Sequence, residues 1–280
     1  MLEHAAGLTP RALQAIAGLE RLVVETDGGR LKLEWGTLRA RSGDRVEDLL
    51  WWEEEQLLGF LGLYAFGPSL EVVGMVAPAA RRRGIATTLL DAALPLCRER
   101  GHQQALLVVP RPSGGGKALA LRRWAVLDHS EHALVLLDEP NGGAGDPRIS
   151  LRTAVPADAA VVARLLEVGF GHATPGLAEQ LASAKERTLL VELGGSAVGA
   201  LRLTRHGDGA GVYGFVVDPA WQGRGIGRDV LRRVCQQLRA EGAQFVGLEV
   251  AVDNDRALGL YTSVGFTEVT TEDYYALPVL

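Results

Sequence analysis

At 280 residues, 47% of them apolar and 22% charged, the chain has an ordinary globular composition, is long enough for two domains, and does not read as disordered. A net charge of −5 gives no basic stripe for nucleic acid, and two cysteines, Cys97 and Cys235, are too few for a disulfide framework or a zinc cluster. No run approaches the roughly 18 apolar residues of a membrane span, and MLEHAAGLTPRAL lacks the layout of a secretory leader. The expectation is a cytoplasmic protein with no metal and with neither nucleic acid nor membrane as partner.

From the N-terminus, Leu13, Ile16, Ala17, Leu19 and Val23 recur near helical spacing behind Thr9-Pro10, which predicts a helix over 10–24. Strands are predicted over 31–39, 48–54, 57–66 and 71–76, the third and fourth separated by Gly67-Pro68-Ser69. A basic turn, Arg81 to Ala86, then opens a helix over 84–100 that Pro95 should kink or divide. A strand over 104–110, a flexible loop over 113–116, a helix over 117–124 and a strand over 132–137 close the first half. Residues 138–148, DEPNGGAGDPR, read as a linker, giving expected domains of 1–140 and 147–280.

The pattern then restarts. A strand over 149–153, helices over 156–168 and 175–185, and strands over 188–193, 197–204 and 212–217 lead to VVDPAWQGRGIGRDVL. There a strand runs into a glycine-rich turn and an amphipathic helix bearing Ile226, Val230, Leu231, Val234 and Leu238 on one face. Such a turn presents unpaired backbone N–H groups at the positive end of the helix, a setting for phosphate or pyrophosphate. A strand over 245–252, a short helix over 255–263 and a last strand within 267–277 follow. Pro78 and Gly84 align with Pro219 and Gly225 at one constant offset, so the halves are an internal repeat of whole domains, offset by two further residues in the loop before the short helix.

The turn matches neither GxxxxGK[ST] nor GxGxxG. With Gln222, Gly225 and Gly227 in order, it resembles the [RQ]xxGx[GA] acetyl-CoA motif of the GNAT N-acetyltransferases, and RRRGIA satisfies the same pattern. LEVAVDNDRALGLYTSVGF, residues 248–266, is similar to the second block of that family. The resemblance implies an α/β protein of two tandem GNAT folds, each a mixed sheet with helices on both faces. It implies acetyl-CoA as co-substrate and direct acyl transfer to an amine acceptor. Gln222, Gly223, Arg224, Gly225, Ile226 and Gly227 would hold the pyrophosphate, and the splayed strand Phe215, Val216 and Val217 would bind pantetheine and the acetyl carbonyl. In the first half Arg81, Arg82, Arg83, Gly84 and Ala86 hold the same positions, the arginine run being suited to the 3′-phosphate.

Asn254 would hydrogen-bond either the pantetheine arm or its own chain. Tyr261 stands at the family's tyrosine position, as proton donor to the departing thiolate or as packing against the cofactor helix. Glu249 is the candidate base if it faces the acceptor cleft; otherwise it and Glu192 form a solvated face. Val108 stands at the position of Glu249, and with the loop difference Arg122 falls at Tyr261, so the first half is expected to keep the fold without the chemistry. His129 and His132 read as a surface turn and not a metal pair, His172 and His206 as passive loop residues, and Trp51, Trp52, Trp124 and Trp221 as core or domain-interface residues. Two further functions stay open. GFTEVTTEDYYAL is similar to the closing segment of mycothiol synthases, although Gly211 stands where those have a glutamate; a non-enzymatic acyl-CoA sensor would need only the glycine turns. Oligomeric state is open between monomer and homodimer.

Overall fold

The computed structural model describes residues 1–280 except 42, 67–68, 144, 172–175, 183–186 and 280, and except the side chains of 66, 69 and 206. In chain order the elements are β1 (Leu2–Ala5), α1 (Pro10–Asp27), α2 (Trp35–Arg39), β2 (Asp48–Glu53), β3 (Gln56–Phe66), β4 (Ser69–Val76), α3 (Ile85–Glu99), β5 (Gln104–Pro110), α4 (Gly114–Arg122) and β6 (Val126–Leu136). The second half supplies β7 (Ile149–Thr153), α5 (Ala159–Phe170), α6 (Leu177–Ala182), β8 (Arg187–Leu193), β9 (Ser196–His206), β10 (Gly209–Val217), α7 (Ile226–Ala240), β11 (Phe245–Ala251), α8 (Asp255–Val264) and β12 (Thr267–Pro278).

Two compact units result, one of Met1–Glu131 with Val269–Leu280 and one of His132–Glu268. They differ from the expected domains of 1–140 and 147–280 because the closing strands are exchanged. In the first unit the strand order is β1-β2-β3-β4-β5-β12, and β12 runs antiparallel to β5 from Glu272↔Pro110 to Pro278↔Gln104. In the second it is β7-β8-β9-β10-β11-β6. Each sheet is completed by a strand from the other half of the sequence.

Helix α1 forms as its sequence dictates. Thr9 caps it by accepting from the Ala12 N–H at 3.1 Å, Pro10 occupies the first turn, and Ala12, Ile16, Leu19 and Val23 fall on the buried face. The segment after it departs from the expected strand over 31–39. Leu33 N donates to Leu31 O and Trp35 N to Leu33 O, bending the chain at every second residue, and α2 follows. The cations between the apolar residues explain this. Arg30 forms a fork with Glu272, whose side chain is fully buried, and Lys32 Nζ lies 3.0 Å from Glu71 and donates to Tyr274 Oη at 2.7 Å. Burial of these charges is tolerated because each is paired. The same contacts hold β12 in this unit.

Three other expectations change. Helix α3 is not divided at Pro95 but runs through it. The glycines at 114–116 are not a flexible loop: Ser113 Oγ accepts from Gly116 N at 3.2 Å and begins α4. Residues 138–148 are not a free tether. Asp229 of α7 accepts from Asp146 N at 3.0 Å, Arg233 donates to the carbonyls of Asp146 and Ile149, Arg232 donates to Gly143 O, and Asn141 N donates to Val264 O. Of the helix expected over 175–185, the described part is α6.

In the second unit, Ile226, Val230, Leu231, Val234, Cys235 and Leu238 of α7 pack with Val246, Leu248 and Val250 of β11. On the opposite sheet face Val162, Leu165 and Leu166 of α5 pack with Leu190, Ala200 and Val216. Of the tryptophans, Trp51, Trp52 and Trp221 are half-buried, whereas Trp124 is 86% exposed instead of sitting in a core or interface.

Candidate active site

Strands β10 and β11 lie parallel through Gly209↔Phe245, Ala210↔Val246 and Gly211↔Gly247, and their pairing ends there. Beyond that point β10 stays with β9, through Val216↔Ala200 and Val217↔Gly199, so the two strands diverge into a cleft. The register of β10 also slips between Tyr213 and Val216, and Gly214 within the slip has φ +55. This bulge inserts a residue and re-aims the backbone of 213–216, on the arm where an acyl carbonyl would need N–H donors. Phe215 and Val217 then pack toward α7, whereas Val216 points to the α5 side. The trace of this bulge in the sequence is a single glycine in the middle of an apolar strand.

The turn at the head of this cleft is closed by its own side chains. Asp218 accepts from Ala220 N at 3.0 Å, and Gln222 Nε2 donates to Val217 O at 2.7 Å, so the first residue of the motif ties the turn back to the strand. Gly225 caps α7 in the left-handed region at φ 81 and has no side chain to occupy the first N–H groups, an arrangement able to receive an anion. A Cβ there would meet nothing within 4 Å, so the space is open and the conformation is what requires glycine. Gly227 serves close approach: a Cβ would lie 3.3 Å from Leu260 of α8 and 3.8 Å from Phe215 and Val217. Ile226 is buried beneath it. Arg224 lies over the Trp221 ring at 4.8 Å and donates to Ala220 O. Arg256, which no motif marks in the sequence, faces Gly223 from the start of α8 and makes no ion pair among the described residues.

Turn, strand and α8 therefore meet around Gly227. Tyr261, one residue beyond Leu260, is 8% exposed, with its ring centroid 6.2 Å from that of Phe266. Burial pushes its phenol up to about 12, so it carries its proton throughout the neutral range. Glu249 lies two residues past the last β10–β11 pair, half-buried, on the sheet face opposite α7. Glu192 is engaged by Arg152 at 2.8 Å and does not join it. Asn254 is tied to its own chain, its Oδ1 accepting from Ala257 N at 3.0 Å as the cap of α8. His172 lies outside the described residues, as does the side chain of His206. His129 stacks on Tyr274 at 4.2 Å, and His132 lies 3.2 Å from Glu268. Burial pushes the thiols of Cys97 and Cys235 up to about 11 and about 12, so neither is a poised nucleophile.

The first unit repeats the frame. Arg81 Nε donates to Val76 O at 3.3 Å as Gln222 does to Val217, Gly84 caps α3 at φ 84, Ala86 stands for Gly227, and Ser113 caps α4 as Asn254 caps α8. β4 and β5 pair only from Glu71↔Leu106 to Val73↔Val108 before diverging. The loop between β5 and α4 has the same length as its counterpart, so no two-residue difference exists there. Ala125 N donates to Ala120 O as Phe266 N does to Tyr261 O, which places Ala120, not Arg122, opposite Tyr261. The bulge is absent: β3 and β4 pair without a slip from Gly59↔Val76 to Phe66↔Ser69. Arg82 holds the position of Gly223 at φ 64. Arg81 is forked onto Asp27 and Arg83 is paired with Glu53, while Arg82 makes no ion pair among the described residues. A cavity of about 440 Å³ runs from this turn between β4 and β5.

The sequence profile of the acetyltransferase (GNAT) family matches residues 16–134 and again 162–266. Mycothiol acetyltransferase of Kineococcus radiotolerans is 30% identical over 94% of this chain and 92% of its own. N-alpha-acetyltransferase RimI of Mycobacterium tuberculosis is 43% identical over 94 residues, which is 32% of this chain and 58% of that protein. Several relatives are thus matched over little more than half of their length or less. Among solved structures, a GCN5-related N-acetyltransferase from Sphaerobacter thermophilus superposes with TM-score 0.81 at 19% identity, over all of this chain and 95% of the other. A tandem GNAT protein from the clavulanic acid biosynthesis pathway superposes at 0.70 with 20% identity, over all of this chain and 99% of its own. Two matches to one family profile, the full-length relative and the fold they share lead to one conclusion: the chain belongs to the GNAT family of acetyltransferases, and carries the family's domain twice.

Proposed function

We propose that the protein moves the acetyl group of acetyl-CoA to a primary amine of a small molecule or peptide in the cytoplasm, and that the unit of His132–Glu268 carries the chemistry. The observation supporting this most directly is that the bulged, diverging strand β10, the open turn and the protonated Tyr261 occur together in that unit alone. Acetyl-CoA supplies an activated thioester. The N–H groups of Gln222 to Gly227 and the start of α7 bind its pyrophosphate, with Arg224 and Arg256 as nearby cations. The backbone of Phe215 to Val217 hydrogen-bonds the pantetheine and the acyl carbonyl, orienting it and stabilising negative charge on its oxygen. Glu249 takes a proton from the amine, which attacks the carbonyl directly, and Tyr261 gives its proton to the thiolate that leaves. In the first unit, Arg81, Arg82, Arg83, Gly84 and Ala86 keep affinity for the same nucleotide without turnover. Neither nucleic acid nor membrane is a partner in this reading.

Tyr261→Phe tests it: kcat should fall about 10²-fold or more, with acetyl-CoA affinity within about twofold of the parent by calorimetry. Unchanged turnover would remove the phenol from the mechanism. A second reading, acetylation of a cysteinyl pseudodisaccharide, draws on the mycothiol acetyltransferase aligned with 94% of the chain, although Gly211 replaces the glutamate expected there. Thiol release measured with cysteinyl glycosides, polyamines, aminoglycosides and peptides as acceptors separates the two.

A further inference from the structure

We infer that the cleft of the first unit holds an acyl-CoA whose acyl chain is longer than acetyl, binding it by phosphate and chain together without consuming it. The inference rests on the reading of RRRGIA as a phosphate cradle and goes beyond it in the ligand. At the mouth, Arg82 keeps a left-handed backbone at φ 64 where the second unit uses Gly223. An L-residue adopts that conformation at a cost, and here it preserves the turn while placing a guanidinium with no ion pair among the described residues beside Gly84. Both residues line the cavity of about 440 Å³.

The body of that cavity differs in kind from its mouth. It passes between β4 and β5 to Phe60 and Leu61 of β3, core residues at 0% and 4% exposure. Met75, Val108 and Leu119 wall it, Val108 at the last pair before β4 and β5 diverge. Val108 stands where the second unit has Glu249, and the buried Ala120 where it has Tyr261, so acid and base are replaced by apolar groups. A space of this volume with an apolar floor suits a chain of several methylenes, and the missing acid and base leave the thioester intact.

Calorimetry on the full-length chain bearing Gly225→Val, which disables the turn of the second unit, tests this with CoA, acetyl-CoA and octanoyl-CoA. One site should remain, with octanoyl-CoA bound at least tenfold more tightly than acetyl-CoA, since each buried methylene is worth about fourfold. Octanoyl-CoA should be recovered intact. Val108→Trp should remove the preference for octanoyl-CoA while CoA itself still binds, and Arg82→Glu should weaken all three ligands alike. Equal binding of acetyl- and octanoyl-CoA overturns the long-chain assignment and leaves the cradle standing. Failure of all three ligands to bind a chain that keeps its circular dichroism spectrum overturns both.

Discussion

Gln222 and Arg81 make the same bond, each reaching back to the carbonyl five residues before it, and the two turns they close have nearly the same backbone. Around those turns the units part. β10 slips its register while β4 does not, Ala120 stands at the first unit's counterpart of Tyr261, and Val108 at that of Glu249. Binding a phosphate needs only backbone N–H groups and a helix start, which survive many side-chain changes. Catalysis needs donors aimed at a developing charge and groups that carry protons, and these are lost one residue at a time. In the function proposed above, the first unit keeps the ligand site without the chemistry.

The comparison breaks most directly at Glu249. Glu249→Gln should lower kcat about 10²-fold, with little change in acetyl-CoA affinity; steady-state kinetics that show no loss would return Glu249 to a solvated face. A smaller effect is expected at Trp124, which holds the position of Gly265 at φ 58 with its ring in solvent. Trp124→Gly should stabilise the protein by about 1 kcal/mol and raise its melting temperature by roughly 2–4 °C.

Smaller still is the expected response to alkali. The phenol of Tyr261 is raised from its ordinary value near 10 to about 12. Its neutral form therefore supports the fold fully below about pH 10, and that contribution fades as pH rises through about 12. Turnover should stay within about twofold between pH 8 and pH 10, and an alkaline limb in the pH–rate profile below that range would have to belong to another group. The least effect of all is expected from putting both groups back: Ala120→Tyr with Val108→Glu, in a Tyr261→Phe chain, should restore no activity because β4 lacks the bulge. Recovery of even a few per cent of turnover would show that side chains alone separate the units.

Much of this frame was legible in the chain. Helix α1 was marked by Thr9-Pro10 and its apolar spacing, and the strand, turn and helix at 216–231 by glycines whose φ angles the structure explains. What was not legible came from contacts distant in sequence. Residues 31–39 alternate like a strand, but Arg30 and Lys32 find Glu272 and Tyr274 more than 240 positions away. The glycines at 114–116 look like a loop until Ser113 caps them, and that helix start sets Ala120, not Arg122, at the counterpart of Tyr261. The β10 bulge leaves a single glycine as its mark, and Arg256 comes beside Gly223 only when α8 is folded against the turn.

The exchange of closing strands also sets an order in time. While the ribosome is still adding residues, β5 has its ladder with β4 but lacks β12, which is made after every other strand of the two units. The sheet of the first unit therefore stays open along one edge until β12 has been made, although its other strands emerged long before. The second sheet, whose partner strand β6 precedes it in the chain, can close as soon as β11 appears. The half translated first is thus the half whose sheet is completed last, and a chain stopped before β12 would keep the strands of the second sheet while the first remained unfinished.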